Sequence, residues 1–394
     1  MIKEISIKNY KSVVDVSLPL GRFNLLIGAN GSGKSNILEG IALGAAASSD
    51  KLDYEYFSNR GIRVVAPRFM LPAFNDLEDL NIHISVTNAK KKGSVFNIHY
   101  NDEVKPPKWE CASSHPGQIV VRLDVNSNKK RFPAKEISIA VEKLMNEKKI
   151  SPTTKVDINV TIKDGVILTL EENLGLNRFL IYSLEETILR KADDSNRTSP
   201  LGLHGEGLFA YLKDLSTRKN AVPIIDEIKE NLRILEWFDD MQVPSDQLSM
   251  EFNLKLKDSY LAETINTFDQ RSTNEGFLYL LFYLTLVISD ETPKFFAIEN
   301  IDTAFNPKLC REVVRRLIEL ARKHDKQIIA TTHNPAVLDG LDLHDEEQKL
   351  MVVQRSVDGY TKVRTLNNKD IVKSDLPLSQ LWLRGFIGGL PNNF

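Results

Sequence analysis

A glycine-rich segment near the N-terminus constrains the fold of this 394-residue chain more than any other feature. Residues 28–35 read Gly-Ala-Asn-Gly-Ser-Gly-Lys-Ser, the pattern of a phosphate-binding loop, or P-loop: a glycine, four residues and then Gly-Lys-Ser. The apolar run 23–27 before it predicts a buried strand, and apolar residues at helical spacing over 36–47 predict a helix after it. Strand, loop and helix in this order are the context that the motif requires, so the sequence predicts an α/β fold.

The residue types in this loop suit the phosphates of a nucleotide. Glycines allow successive backbone N–H groups to converge on phosphate oxygens, and the N-terminus of the following helix adds a partial positive charge. We expect Lys34 to contact the β- and γ-phosphates of ATP, and Ser35 to place its hydroxyl on Mg²⁺. The residues predicted to bind the nucleotide are Gly28, Asn30, Gly31, Ser32, Gly33, Lys34, Ser35 and Asn36.

Two apolar strands far along the chain end in polar residues that would complete such a site. The strand predicted at 295–298 is followed by Glu299, and a carboxylate at the end of a neighbouring strand can hold Mg²⁺ through water. The strand predicted at 327–331 ends just before His333, which would sense the γ-phosphate or orient a water molecule. The sequence therefore predicts Ser35 and Glu299 as metal-binding residues, and Glu299 and His333 as catalytic residues.

These segments together resemble an ABC-type ATPase of the group that contains RecF, the SMC proteins and the overcoming-lysogenization-defect (OLD) nucleases, often described as AAA-family ATPases. The resemblance implies an α/β P-loop NTPase of the ABC-ATPase head type, with a mixed sheet, flanking helices and an inserted, mostly helical region. Residues 1–125 would form the N-terminal ATPase lobe with the P-loop, and alternating segments over 81–125 predict antiparallel strands that complete a mixed sheet flanking this lobe. Residues 126–247 would form the insertion, in which residues 135–149 and 224–241 have helical patterns. Residues 248–394 would form the C-terminal lobe with the signature, the Walker B strand, the D-loop and the switch histidine.

Two departures from the family pattern bear on catalysis. Asn300 stands where the family has a glutamate that polarises the attacking water, and an amide cannot accept a proton as a carboxylate does. Hydrolysis is therefore expected to be slow, with Asp302 as a candidate substitute. The signature segment 271–276 reads Arg-Ser-Thr-Asn-Glu-Gly instead of containing Leu-Ser-Gly-Gly. The resemblance implies that Ser272 reaches the nucleotide of the opposite subunit; the alternative is that Ser272 caps the following helix.

The resemblance also implies partners. ATP held between two chains predicts a homodimer or a higher homo-oligomer. Residues 334–394 are too few for the Toprim nuclease domain of the OLD proteins, so we expect the chain to regulate a separate effector. The family suggests a nuclease in antiviral defence, with DNA or a phage protein as the trigger. Two alternatives stay open: a RecF-like DNA-repair ATPase, and a scaffold that binds ATP without hydrolysing it, which Asn300 favours.

Composition limits the other interpretations. The chain has 51 Lys and Arg against 53 Asp and Glu, a net charge of −2, so a DNA contact would be local. The basic clusters Lys90–Lys92 and Lys129–Arg131 are candidates, although solvated loops are the ordinary interpretation. Cys111 and Cys310 are the two cysteines, which predicts no disulfide framework or zinc site and fits a reducing cytoplasm. The longest apolar run, 277–288, is shorter than the ~18 residues of a membrane span.

Overall fold

A computed structural model describes residues 1–74, 81–90, 93–114, 119–123, 157–162, 166–171, 175–191, 200–218, 221–244, 253–262, 267–366 and 376–390. The strands are β1 (Ile2–Tyr10), β2 (Val13–Pro19), β3 (Phe23–Ile27), β4 (Ile82–Asn88), β5 (Gly93–Asn101), β6 (Lys108–Ser114), β7 (Ile119–Leu123), β8 (Asp157–Ile162), β9 (Val166–Glu171), β10 (Ile181–Tyr182), β11 (Phe238–Gln242), β12 (Lys255–Asp258), β13 (Thr267–Asp269), β14 (Phe295–Ile298), β15 (Gln327–Thr331), β16 (Gln348–Arg355) and β17 (Thr361–Leu366). The helices are α1 (Lys34–Ser48), α2 (Tyr54–Ser58), α3 (Glu186–Leu189), α4 (Leu208–Ser216), α5 (Ala221–Leu232), α6 (Glu275–Ile288), α7 (Pro307–Lys323) and α8 (Leu378–Leu383). Short 3-10 helices cover Pro67–Phe69, Leu176–Arg178, Gln270–Ser272 and Pro335–Gly340.

A six-stranded sheet carries the P-loop. Its strand order is β10-β14-β15-β3-β16-β17, and all neighbours run parallel except β16 and β17. Strands β3, β14 and β15 are buried along their whole length, as is typical of parallel strands covered on both faces. Because the carboxyl ends of parallel strands meet at one edge, the loops after these three strands come together there. The strands predicted at 23–27, 295–298 and 327–331 are therefore confirmed.

Helix α1 packs against a second, antiparallel sheet of order β2-β1-β4-β5-β6. Two glycines of the helix face this sheet. A Cβ on Gly40 would lie 3.1 Å from the Ile7 side chain, and a Cβ on Gly44 would lie 2.9 Å from the Ile84 side chain. The small residues between the apolar positions of α1 therefore allow the helix to approach the sheet closely.

Two predictions about the middle of the chain were wrong. The strand-like segment 118–125 is predicted to belong to the flanking sheet, but β7 pairs with β9 in a separate sheet of order β7-β9-β8, because alternation predicts a strand and not its partner. The helix expected over 224–241 ends at Leu232, and β11 follows, paired with β12. The helix predicted near 135–149 lies outside the described residues, and the domain boundaries at 125 and 247 stay predictions.

The most apolar helix, α6, lies in the centre of one of the two hydrophobic cores. All its residues from Gly276 to Ile288 are buried, and it contacts α5 and α7. In the described parts of the chain, neither this 14-residue helix nor any other is long and apolar enough to cross a membrane.

A buried lysine joins the end of α6 to the start of β15. The Lys326 side chain is 0% exposed, and its ammonium donates hydrogen bonds to the carbonyl oxygens of Ser289 (2.6 Å), Thr292 (3.1 Å) and Pro293 (3.3 Å) and to the Thr292 hydroxyl (2.7 Å). Burial lowers the pKa of Lys326 to about 7, with the nearby charge of Lys294 acting in the same direction. The four oxygen partners therefore offset only part of the cost of burying this charge.

Lys326→Met should therefore alter both stability and its dependence on pH. At pH 7 we expect a loss of roughly 1–3 kcal/mol, because buried oxygens lose their donor. An unfolded lysine has a pKa near 10.4, so between pH 7 and about 10 the unfolded wild type binds more protons and its unfolding free energy rises with pH. Urea unfolding of both proteins from pH 6 to 10 measures this rise. If the unfolding free energies of wild type and variant changed in parallel with pH, the pKa of Lys326 would not be lowered in the folded protein.

Candidate nucleotide-binding site

The P-loop connects β3 to α1, as the sequence predicts, and two of its glycines cannot be replaced without strain. Gly33 has a φ of 110°, and a Cβ there would lie 2.1 Å from the Thr361 hydroxyl oxygen. Gly28 has a φ of 152°, and a Cβ there would lie 2.1 Å from the Val353 carbonyl oxygen. The loop backbone is thus held between β3 and the β16–β17 hairpin, in a conformation that glycine alone adopts readily.

The residues predicted to hold phosphate and metal come together at the edge of the central sheet. The Lys34 ammonium donates to the carbonyl oxygens of Gly28 (2.7 Å) and Ala29 (3.1 Å), and the Ser35 hydroxyl donates to the Glu299 carboxylate. Burial lowers the pKa of Lys34 to about 8, and the negative charge of Glu299 opposes this shift. Mg²⁺ prefers oxygen ligands, and the Ser35 hydroxyl and the Glu299 carboxylate supply two of them side by side. Phosphate oxygens of a nucleotide would supply others.

The metal would depend on the phosphates as well as on the protein. In the described residues, no three His, Cys, Asp or Glu side chains cluster closely enough to hold a metal ion by themselves. Mg²⁺ with few protein ligands and several phosphate or water oxygens is the usual arrangement in P-loop sites. Ser35 and Glu299 are thus suited to a metal that arrives with its nucleotide.

The residues after β14 are hydrogen-bonded to the end of β15 and to the residue that follows it. Asn300 has a φ of 50°, in the left-handed region, and its backbone N–H donates to the Thr331 hydroxyl at 2.9 Å. Two residues later, the Asp302 carboxylate accepts a 2.6 Å hydrogen bond from the Thr332 hydroxyl. Two hydrogen bonds therefore join the segment after β14 to the end of β15, which leads to His333.

His333 directly follows Thr332, whose hydroxyl bonds to Asp302. Desolvation lowers the pKa of His333, the positive charge of Lys34 lowers it further, and Asp302 opposes both. Strand β15 lies between β14 and β3, so the segment after β15 that carries His333 lies at the same edge of the sheet as Glu299 and the P-loop. Because its pKa is lowered, the imidazole is mainly uncharged near neutral pH and can donate or accept a hydrogen bond.

A buried carboxylate on α1 was missed by sequence reasoning. Glu39 is 2% exposed and accepts hydrogen bonds from the Tyr10 hydroxyl (3.0 Å), the Lys11 ammonium and the Arg63 guanidinium. Arg63 also donates to the Asn36 side chain at 3.2 Å. An acid within an otherwise apolar helix was the available signal. The cluster links the first turns of α1 to the β1–β2 turn and to the segment after α2.

The two arginines of the segment 59–63 have different environments. Arg63 reaches the P-loop helix, as described above. The guanidinium of Arg60 is instead buried against the Tyr56 ring, 3.8 Å from its centroid, and donates to the Asn177 carbonyl oxygen at 2.6 Å. Arg60 therefore stabilises the fold, and Arg63 is the arginine available to the site. The lysine cluster at 129–131 lies outside the described residues.

The C-terminal hairpin braces the P-loop, which sequence reasoning also missed. Arg355 donates to the Gly31 carbonyl oxygen at 3.0 Å, and the Thr361 hydroxyl donates to the Ser32 carbonyl oxygen at 3.1 Å. The segment after α8 lies beside the same loop, where residues 383–385 and 388–390, the loop tip and the end of β16 line a cleft of about 480 Å³. Two C-terminal segments thus lie against the P-loop.

The signature segment leads directly into α6, and its serine does not cap this helix. Ser272 is exposed in the 3-10 helix 270–272, and Asn274 caps α6 by accepting a 2.9 Å hydrogen bond from the Phe277 N–H. The interpretation of Ser272 as the helix cap is therefore wrong. Among the described residues, the hydrogen bonds that unite the other site residues do not include Ser272. Arg190 donates to the backbone carbonyl oxygens of Gln270, Arg271 and Thr273 and so holds the start of the segment in place.

A model of the family described as "AAA ATPase domain" matches residues 1–289. The chain belongs to this AAA ATPase family. A second model, described as "AAA domain, putative AbiEii toxin, Type IV TA system", matches residues 263–339, which include Glu299 and His333. No curated protein is similar enough in sequence to match the chain.

Solved structures give the fold of this AAA ATPase. One is an SmcHead bound to the C-winged helix domain of ScpA, with 15% identity and a TM-score of 0.53, covering 94% of this chain and 99% of that one. Another is an Smc head domain with an extended coiled coil, bound to the C-terminal domain of ScpA derived from Pyrococcus furiosus. It has 13% identity and a TM-score of 0.53, covering 94% of this chain and 98% of that one. The predicted ABC-type head fold is confirmed.

Proposed function

We propose that this AAA ATPase binds ATP with Mg²⁺ at the P-loop and hydrolyses it slowly between two copies of the chain. The observation that carries the proposal is the contact of the Ser35 hydroxyl with Glu299, beside the buried ammonium of Lys34. Lys34 would pair with the β- and γ-phosphates. Ser35 and Glu299 would hold Mg²⁺, which, when bound, offsets the negative charge of the phosphates.

Slow hydrolysis is supported by the residue after Glu299. Asn300 holds the position of the general base, and its side-chain amide can orient a water but cannot take its proton. Asp302 is the next carboxylate along the chain after Glu299, but its oxygen already accepts a hydrogen bond from the Thr332 hydroxyl. His333, mainly neutral at pH 7, would bind the γ-phosphate or the attacking water. Bound ATP would consequently persist for longer than in an enzyme with the usual glutamate.

Dimerisation around ATP is the part of the proposal that Ser272 supports. Ser272 is exposed just before α6, where its hydroxyl would donate a hydrogen bond to the γ-phosphate bound by the second copy of the chain. We expect ATP and Mg²⁺ to double the molar mass of the wild type, and Ser272→Glu to prevent this because its carboxylate would face a phosphate. Light scattering after size-exclusion chromatography measures the mass.

Ser272→Gln is the matched control, because it has the size of Glu without the charge. It should retain at least part of the ATP-dependent dimer, and both variants should bind ATP as monomers. A dimer of undiminished strength in Ser272→Glu would place Ser272 away from the interface and overturn this part of the proposal.

The proposal extends to a separate effector, most simply a nuclease in antiviral defence. The match to a model whose description names an AbiEii toxin and a type IV TA system supports it. The two Smc heads are bound to ScpA domains, which supports a surface for partner proteins on a head of this fold. Plaque counts on cells that carry the wild type or Lys34→Ala together with the neighbouring genes test this part.

A scaffold gated by ATP is the second candidate, and Asn300 favours it because a nucleotide that is not hydrolysed would hold an assembly together. A RecF-like role in DNA repair is the third, and a salt-dependent affinity for duplex DNA would favour it. The scaffold and the slow ATPase differ in one measurement, steady-state turnover, because both bind ATP equally well.

A further inference from the structure

We propose that Phe74 and Tyr360 form an aromatic platform for the base of the bound nucleotide. The inference rests on the proposed function, since it requires the P-loop to bind a nucleotide. The two rings lie 4.7 Å apart between centroids, at an interplanar angle of 77°. Both side chains are partly exposed, so the ring faces can be reached from solvent.

The strand order sets the direction in which the nucleotide leaves the P-loop. Glu299 follows β14, two strands from β3 on one side, and the β16–β17 hairpin lies on the other side of β3. The γ-phosphate and the metal belong near Glu299, because Ser35 contacts it there. The α-phosphate and the nucleoside must then extend away from Glu299, toward the hairpin.

A chain of hydrogen bonds leads from the P-loop helix to the platform. The Asn36 side chain donates to the Ser12 hydroxyl at 2.7 Å, and the Ser12 hydroxyl is 2.7 Å from the Thr361 hydroxyl. The Thr361 N–H also donates to the Ser12 carbonyl oxygen at 2.8 Å. Arg355 donates to the carbonyl oxygens of Gly31 in the P-loop and Gly359 in the hairpin turn, so the turn that carries Tyr360 lies beside the loop, on the side toward which the nucleoside would extend.

The surroundings hold the platform in place before a ligand arrives. The Ser356 N–H donates to the Tyr360 carbonyl oxygen at 2.8 Å, and the Tyr360 N–H donates to the Ser356 hydroxyl at 3.1 Å. Phe74 lies against Gly359, where an added Cβ would be 3.3 Å from its ring. Rings that are already ordered lose little conformational entropy when a base stacks on them.

The aromatic residue nearest in sequence to the β1–β2 turn is not free for this role. Tyr10 is 0% exposed, and its hydroxyl donates to Glu39 at 3.0 Å. The platform therefore combines Phe74 from the N-terminal half with Tyr360 from the C-terminal hairpin. Stacking uses the π-face that every base has, so we expect ATP and GTP to bind with similar affinity and CTP, with its smaller ring, more weakly.

The test compares ATP with tripolyphosphate, which has the phosphates but no base, by isothermal titration calorimetry in Mg²⁺. Tyr360→Ala should raise the Kd for ATP about 10-fold and leave that for tripolyphosphate unchanged. Phe74→Ala should act in the same direction. Tyr360→Phe retains the ring and should bind ATP like the wild type, as should Val357→Ala, a control at the fully exposed hairpin tip.

The outcomes separate the platform from the nucleotide site itself. Unchanged ATP binding in Tyr360→Ala would overturn the platform and leave the proposed function standing. A parallel loss of tripolyphosphate binding would mean that the variant disturbs the P-loop brace, and would also overturn it. If the wild type bound neither compound, the proposed function would fall and the platform with it.

Discussion

Replacement of Lys34 by alanine should abolish ATP binding, raising the Kd by about 100-fold or more. Lys34 is 8% exposed, and its ammonium donates hydrogen bonds to two carbonyl oxygens of the loop. Phosphates would replace these neutral partners with charged ones, and a buried charge-assisted bond is among the strongest polar contacts. Calorimetric titration with ATP and Mg²⁺ measures the loss.

The pKa of Lys34 adds a pH dependence to the same experiment. At about 8, this pKa keeps the side chain charged below neutral pH and lets it lose its proton above pH 8. Because the phosphates favour the protonated form, ATP binding to the wild type should weaken as the pH rises from 7 to 9. Lys308→Ala, on the exposed start of α7, is the matched control and should bind ATP like the wild type. Undiminished binding in Lys34→Ala would disprove the P-loop assignment.

Local patterns were sufficient to predict the centre of this site. The P-loop and the apolar strands before Glu299 and His333 each depend on a few consecutive residues. Parallel strands covered on both faces are continuous apolar runs, which makes β14 and β15 easy to recognise. Since such strands share one edge, the meeting of Ser35 with Glu299 also follows from the order of the elements.

The supports of the site depend on contacts between distant parts of the chain, and the sequence alone could not reveal them. Thr361 bonds to Ser32 across 329 residues, and Arg355 bonds to Gly31 across 324. An exposed arginine and a threonine in a hairpin have no local pattern that identifies such partners. The Glu39 cluster was missed for the same reason, although an acid in an apolar helix indicates a buried partner.

The sequence alone also could not predict which strands pair or which residue caps a helix. Strand alternation predicted β7 but not its partner β9, because the pattern specifies a face and not a neighbour. At the signature segment, Ser272 and Asn274 are both good capping residues two positions apart. Helix α6 begins at Glu275, two residues later than a cap at Ser272 would place it. Asn274 is therefore the cap, and Ser272 remains exposed.

Asn300→Glu should raise steady-state ATP turnover about 10-fold or more, because a carboxylate at this position can accept a proton from the attacking water. The same change should lower stability by about 1 kcal/mol. Asn300 has a φ of 50°, a left-handed conformation that asparagine tolerates better than glutamate. Phosphate release at saturating ATP, with Lys34→Ala as the blank, measures the gain.

Asn300→Gln is the matched control for this prediction, because it has the length and the backbone cost of glutamate without the carboxylate. We expect its turnover to stay at or below that of the wild type. Equal turnover in the Glu and Gln variants would mean that the base lies elsewhere, and Asp302, held by Thr332, would be the residue to replace next. If the wild type shows no turnover and Asn300→Glu does, bound ATP serves the natural chain as a structural ligand, and the scaffold becomes the preferred function.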